Sequence, residues 1–253
     1  MAKAPAPTPA TAPGPAPAHF RRYARMLVRV VEAQHRRSTE RLASDLAEQD
    51  MLEALIEEVK PPLPPAAAGL HHLLSTPFRY GYSGATRFRR AYERPGIFYG
   101  GERLETSLTE SAYWQMRFFA AAPASRLPRT VMEYWAFAIP VKVARAIDLT
   151  AAPFVADRTR WTDPDSYEAC QAFAAEARAI GAQLIRYESA RVAGAKNAAL
   201  FDAAAFTAPV PESRGSWLFR FADGVLTARA AYPGEERMTF RFDDFGLVPP
   251  AGA

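Results

Sequence analysis

The chain has 253 residues, 49% hydrophobic and 23% charged, with a formal net charge of +4, which excludes a disordered or fibrous protein and suits an anionic small molecule, an acidic partner or nucleic acid. It has no apolar run of about eighteen residues and no apolar core of a secretory signal near Lys3, so neither membrane insertion nor export is expected. A single cysteine, Cys170, rules out an intramolecular disulfide and fits a reducing, cytoplasmic setting, and with four scattered histidines it makes no Cys/His metal site.

Residues 1–18 alternate Ala, Pro, Thr and Gly, a composition that predicts a disordered tail of partly polyproline II character. Residues 19–65 read as a helical lead-in. Phe20, Tyr23, Met26, Leu27, Val30, Val31 and Gln34 step at three and four residues. Ser38 or Thr39 would cap a second helix carrying Leu42, Leu46, Met51, Leu52, Leu55 and Ile56, stopped by the prolines from Pro61 to Pro65. Such a pair packs as a hairpin on the main domain or forms a homodimer or partner surface. The main domain is expected over 66–253.

In that domain Thr130 to Pro140 and Val141 to Leu149 read as two extended segments rich in β-formers. Asp163-Pro164 starts a helix that Gly181 ends. Leu184 to Tyr187 and Ala198 to Phe201 are short strands, and Trp217 to Phe221, Val225 to Ala230 and Met238 to Phe242 form a late meander. The class is α+β. No phosphate-binding glycine loop is present, because Gly81-Tyr82-Ser83-Gly84 lacks the spacing and follows no strand.

Phe78 to Phe119 concentrates the candidate chemistry. Arg79, Arg87, Arg89 and Arg90 alternate with Phe78, Tyr80, Tyr82, Phe88 and Tyr92. Guanidinium groups beside aromatic rings suit a phosphate-bearing ligand with a planar base, or single-stranded nucleic acid, and also occur on solvated loops. Tyr99 ends an apolar strand between glycines, as a core tyrosine also would. Glu110, after Thr106 and Ser107, reads first as the acid of a helix-capping box. Ser189 ends a strand and fits a turn serine. No Ser-His-Asp arrangement is evident.

Four segments carry a resemblance to the RES family, named for its arginine, glutamate and serine: Val30 to Pro64, His72 to Arg89, Gly96 to Phe119 and Tyr187 to Phe206. The resemblance implies a compact split β-sheet core similar to ADP-ribosyltransferase toxins, with an N-terminal helical segment. It implies NAD as substrate with no cofactor, and cleavage of the nicotinamide–ribose bond by phosphate or water. It further implies a toxin paired with a DNA-binding Xre-type antitoxin. Carried onto this sequence, the family's arginines fall on Arg79 and Arg87, its tyrosine on Tyr99, its glutamate on Glu110 and its serine on Ser189. Arg79 and Arg87 stand closer than in other members, so a neighbour of Arg79 is the alternative for the first arginine. Tyr80, Arg89, Ser107, Arg191 and Asn197 are expected to add substrate contacts. In this reading Ser189 donates to a phosphate, and Glu110 stabilises a ribosyl cation. The rival readings are an ADP-ribosyltransferase acting on a macromolecule and a non-enzymatic nucleic-acid-binding module.

Overall fold

The computed structural model describes residues 13–33, 42–122 and 126–250. Most of the Ala/Pro-rich tail, Gln34 and the expected cap at Ser38 or Thr39 lie outside the described residues. The fold is mixed α/β, built on one sheet of eight strands: β1 (Arg21–Glu32), β2 (Phe98–Gly101), β3 (Met132–Asp148), β4 (Leu184–Glu188), β5 (Lys196–Leu200), β6 (Glu212–Ala222), β7 (Val225–Ala230) and β8 (Arg237–Arg241). Five described helices accompany it: α1 (Leu46–Val59), α2 (His72–Arg79), α3 (Leu104–Ala120), α4 (Arg158–Trp161) and α5 (Glu168–Ala179).

The first correction concerns 19–33. This segment is strand β1, paired antiparallel with β3 from Arg21 and Ala146 to Glu32 and Tyr134. Its apolar positions fit a helical spacing, but Tyr23, Val28, Val30 and Val31 are β-formers, and the long β3 offers a partner along the whole segment. Tertiary pairing therefore decides between two readings of one pattern. A domain boundary near residue 66 goes with the helix: β1 is an integral strand of the main sheet.

The second expected helix does form, as α1. Its cap is Asp45, whose Oδ1 accepts the Glu48 amide at 2.8 Å, while Glu48 reaches back to the Ser44 amide. The helix does not pack as half of a hairpin. Gln49 is its one buried residue, and Leu46, Met51, Leu55 and Val59 are exposed.

β3 organises the sheet. One edge takes β1. The other takes β6 over Met132 to Ala138 and β4, in parallel, over Ala146 to Asp148. Between these two partners no named strand pairs, only the isolated bridge of Val141 with Phe206, and Pro140 sits there, facing Thr207, whose amide donates to the Pro140 carbonyl at 3.1 Å. The missing proline N–H thus falls where no strand requires it, so β3 runs straight through instead of breaking into two segments. β4 continues to β5, β5 to β2, and β2 meets β1 at Gly101 and Val28, which closes a ring of five strands. β6, β7 and β8 extend from it as an antiparallel meander. Asp223 and Gly224, at φ 49 and 70, make the left-handed pair that a two-residue hairpin requires.

The sheet's alternation sorts the core. Phe98, Phe137, Ile139, Leu184 and Leu200 pack with Leu74 and Phe78 of α2. Ile147, Ile185 and Ala199 pack with Phe154, Trp161 and Phe173 around α4 and α5. Leu108, Ala112 and Met116 of α3 lie against Val30, Ala136 and Phe219. Full burial of each large side chain contributes about 1.5–3 kcal/mol. No described helix is long and apolar enough to cross a membrane.

Candidate active site

Strands β1, β2, β4 and β5, the loop before β2, helix α3 and the turn before α5 surround a cavity of about 240 Å³. Arg29, Arg87, Tyr99, Ser107, Glu110 and Arg191 line it, with Tyr113, Trp114, Tyr167, Tyr187 and Asn197. Three arginines and one carboxylate therefore share walls rich in aromatic rings.

Helix α3 starts at Leu104, preceded by Arg103 at the N-cap position with no side-chain cap bond, which puts Glu110 in the second turn. The capping-box reading is thereby overturned: Glu110 turns toward the sheet, where two donors hold it. The Ser189 hydroxyl donates to Glu110 Oε1 at 2.6 Å and the Asn197 amide donates to the same oxygen at 3.0 Å. Oε2 takes no hydrogen bond from a described residue and remains for a ligand. Ser189 and Asn197 are buried. The Ser189 oxygen also accepts the amides of Arg191 and Val192, at 3.1 and 3.2 Å. With its acceptor side filled, its proton has one direction, toward Glu110. Ser189 therefore orients the carboxylate. The Ser107 hydroxyl is likewise committed, donating to the Val28 carbonyl at 2.8 Å and tying α3 to β1. The helix also lies close on β2: a Cβ at Gly101 would stand 2.6 Å from Ser107 Oγ, so the position demands glycine.

Tyr99 serves the arginine loop. Its hydroxyl bonds Thr86 Oγ1 at 2.8 Å and accepts the Phe88 amide at 3.1 Å, on either side of Arg87. Burial pushes the phenol up to about 12, so at neutral pH it is a proton-bearing tether and not a base. Arg87 is fixed from its far side by the carbonyls of Trp161 and Asp163, at 3.0 and 2.9 Å, and lies over the Tyr167 ring. Gln171 of α5 donates to the carbonyls of Thr86 and Arg89, closing the same loop.

Three predicted residues lie elsewhere. Arg79 pairs with Glu57 of α1 at 2.6 Å and donates to the Pro61 carbonyl, so it fastens α1 to the body. Arg89 is buried and donates to the carbonyls of Tyr82, Arg90 and Gly84, a staple inside its own loop. Tyr80 packs on the Tyr82 ring. The first arginine of the cavity is instead Arg29 on β1. Its guanidinium lies 4.9 Å from the Phe98 ring centroid, and its Nη1 is buried with no hydrogen-bond partner among the described residues. Desolvation pulls it down to about 10, which leaves it charged at neutral pH. A half-buried cation with one nitrogen buried and unsatisfied in a cavity wall is costly unless an anion binds there. The signal available in the sequence was a single arginine inside an otherwise apolar β-forming run.

Residues 64–222 match the model of the RES domain family. The chain belongs to the RES family. That match begins after β1, so the strand that supplies Arg29 to this RES fold lies outside it. Among solved structures, the M. tuberculosis MbcT–MbcA toxin–antitoxin complex is similar at 13% identity and a TM-score of 0.44, over 78% of this chain and 85% of that one. No curated protein matches the chain at a significant level.

The serine loop of the RES site has its own anchor. Glu188 is buried at the end of β4 and bound by both nitrogens of the Arg158 fork, at 2.8 and 2.7 Å, and by the Gly194 amide. These bonds, the Arg158 fork first, hold its carboxyl at about 2 against the cost of burial. A depressed carboxylate contributes stability above its unfolded value, near 4.3, and loses it as pH falls toward 2. With Arg158 half-exposed, the contribution is about 1–2 kcal/mol after solvent screening. Wild-type protein is expected to lose that increment of unfolding free energy between about pH 5 and pH 2, while Glu188→Gln shows a correspondingly flatter profile. Denaturant titrations across that range check it, and parallel profiles would refute it.

Proposed function

We propose that the protein cleaves the bond between nicotinamide and ribose in NAD, with phosphate or water as acceptor, and that it acts as the toxin of a toxin–antitoxin pair. Membership of the RES family supports the substrate and the toxin role. The observation that carries the chemistry is Glu110, held through Oε1 by Ser189 and Asn197, with Oε2 open to a cavity of three arginines.

Nicotinamide in NAD is a pyridinium. When its bond to the ribose C1′ breaks, the electron pair goes to the ring nitrogen and neutral nicotinamide leaves. No proton donor is required, which agrees with a cavity that has no histidine in its lining among the described residues. The positive charge develops on the ribose, as an oxocarbenium ion, next to the Glu110 carboxylate. Fixed negative charge where positive charge develops lowers the barrier without reorganisation at the moment of reaction. Arg29, Arg87 and Arg191 would bind the pyrophosphate or an attacking phosphate by charge-assisted hydrogen bonds. An oxygen lone pair of the acceptor then forms the new bond to C1′. Phosphate yields the sugar phosphate, and water yields ADP-ribose and a proton.

The purified chain is expected to release nicotinamide from NAD, and chromatography of the products with and without phosphate identifies the acceptor. Absence of release under both conditions would refute the reading. Labelled ADP-ribose on a macromolecule in place of free product would shift it to an ADP-ribosyltransferase.

A further inference from the structure

The cavity is smaller than the roughly 300–1,000 Å³ of pockets that enclose a drug-sized ligand. It therefore holds part of a dinucleotide, and the remainder must leave through its mouth. Helix α3 gives the direction. Glu110 and Trp114 are four residues apart on it, about 6 Å along the axis and on the same face. Trp114 lines the cavity yet is 44% exposed, which places it at the rim. One of its faces is occupied by the Arg117 guanidinium, 5.3 Å from the ring centroid, and Tyr113 meets it edge-on at 5.4 Å.

Arg117 is itself fixed. It donates to the hydroxyls of Tyr113 and Tyr167, at 2.9 and 3.3 Å, and so spans from α3 to the turn before α5. In the same cavity, Arg191 lies on the Tyr113 ring at 3.4 Å from its centroid, and Arg87 lies over Tyr167 at 4.9 Å. One cavity thus joins a carboxylate, two ring-stacked cations and a half-exposed indole propped by Arg117. A dinucleotide offers the matching groups in its ribose, pyrophosphate and adenine.

On the reading that NAD is the substrate, we propose that Trp114 is the platform on which the adenine stacks, propped from behind by Arg117, so that the adenylate half lies outside the cavity along α3. A tryptophan face stacks any purine and is sequence-tolerant, which suits a rim contact that makes no base-edge hydrogen bonds.

The test compares NAD with nicotinamide mononucleotide, which carries the same scissile bond and no adenylate. Trp114→Ala is expected to raise KM for NAD roughly ten-fold, the scale of one lost base–aromatic stack. Its kcat and its kinetics with the mononucleotide should stay near wild type, and Trp114→Phe should restore most of the KM. Because the side chain is half-exposed, the substitution leaves the core intact, which circular dichroism and the melting temperature verify. A KM for NAD within two-fold of wild type, or an equal loss on both substrates, overturns the platform. If wild type cleaves NAD but not the mononucleotide, the KM for NAD and its rescue by phenylalanine decide alone. Wild type that turns over neither substrate refutes the proposed function itself and this inference with it, whereas an active wild type with an unaffected Trp114→Ala refutes the platform alone.

Discussion

Replacing Glu110 by glutamine is expected to lower kcat for nicotinamide release by at least about 10²–10³-fold, the scale seen when one preorganised electrostatic group is removed from an active site. The substitution is close to isosteric. Glutamine keeps an Oε1 that accepts both the Ser189 hydroxyl and the Asn197 amide, the two bonds that position the native carboxylate. What changes is the charge, and the atom presented to the cavity becomes an N–H donor aimed at a developing cation. Melting temperature should therefore move little while turnover collapses. Ser189→Ala offers a graded control: it removes one of the two bonds on Oε1 but leaves the charge, so its loss should be smaller than that of Glu110→Gln. Single-turnover kinetics at saturating NAD measure both. Activity of Glu110→Gln within ten-fold of wild type would remove the carboxylate from the mechanism.

The sequence carried the late meander, the end of α5 and the short strands β2, β4 and β5 well, because each is bounded by turn residues and its apolar pattern fits one period; α5 itself starts at Glu168, not at Asp163, whose carboxylate instead closes a turn on the amides of Asp165 and Ser166. It also placed Arg87, Tyr99, Glu110, Ser107, Ser189, Arg191 and Asn197 near one another through family resemblance, and the structure brings these seven around one cavity. Their individual roles were less legible. Ser189 and Tyr99 present hydroxyls that the sequence left open to a ligand. In the fold, backbone amides fill the Ser189 oxygen and the arginine loop binds the Tyr99 oxygen, so both are positioning groups. The helix start at Leu104 instead of Thr106 or Ser107 was equally invisible. No side chain caps it, and the chain's approach from β2 sets the boundary. β1 was misread because period and propensity disagreed over residues 21–32, and only the distant β3, more than a hundred residues on, resolves that conflict.

That misreading hid the cation with the largest predicted effect on ligand binding. Arg29→Met is expected to weaken NAD or phosphate binding about ten- to hundred-fold, the equivalent of one charge-assisted hydrogen bond to an anion. Methionine keeps much of the packing on Phe98 while removing a buried charge whose Nη1 has no partner in the described fold. Removing a half-buried charge with an unsatisfied Nη1 relieves a desolvation cost, so the variant should be as stable as wild type or more so. Arg79→Met is the opposite case. It breaks the pair with Glu57 and the bond to the Pro61 carbonyl, outside the cavity, so kcat/KM should hold within about two-fold while the attachment of α1 loosens. Calorimetric titration with phosphate and with NAD, alongside thermal melts of both variants, separates them. Equal losses of affinity in the two would place the first family arginine back on Arg79. A destabilised Arg29→Met with normal affinity would make Arg29 a core residue. The expected pairing, a stable protein blind to its anion against a loosened protein with an intact site, arises because the two arginines stand on opposite sides of one distinction: Arg79 already pairs with the Glu57 carboxylate, and Arg29 has no carboxylate partner among the described residues until a ligand supplies an anion.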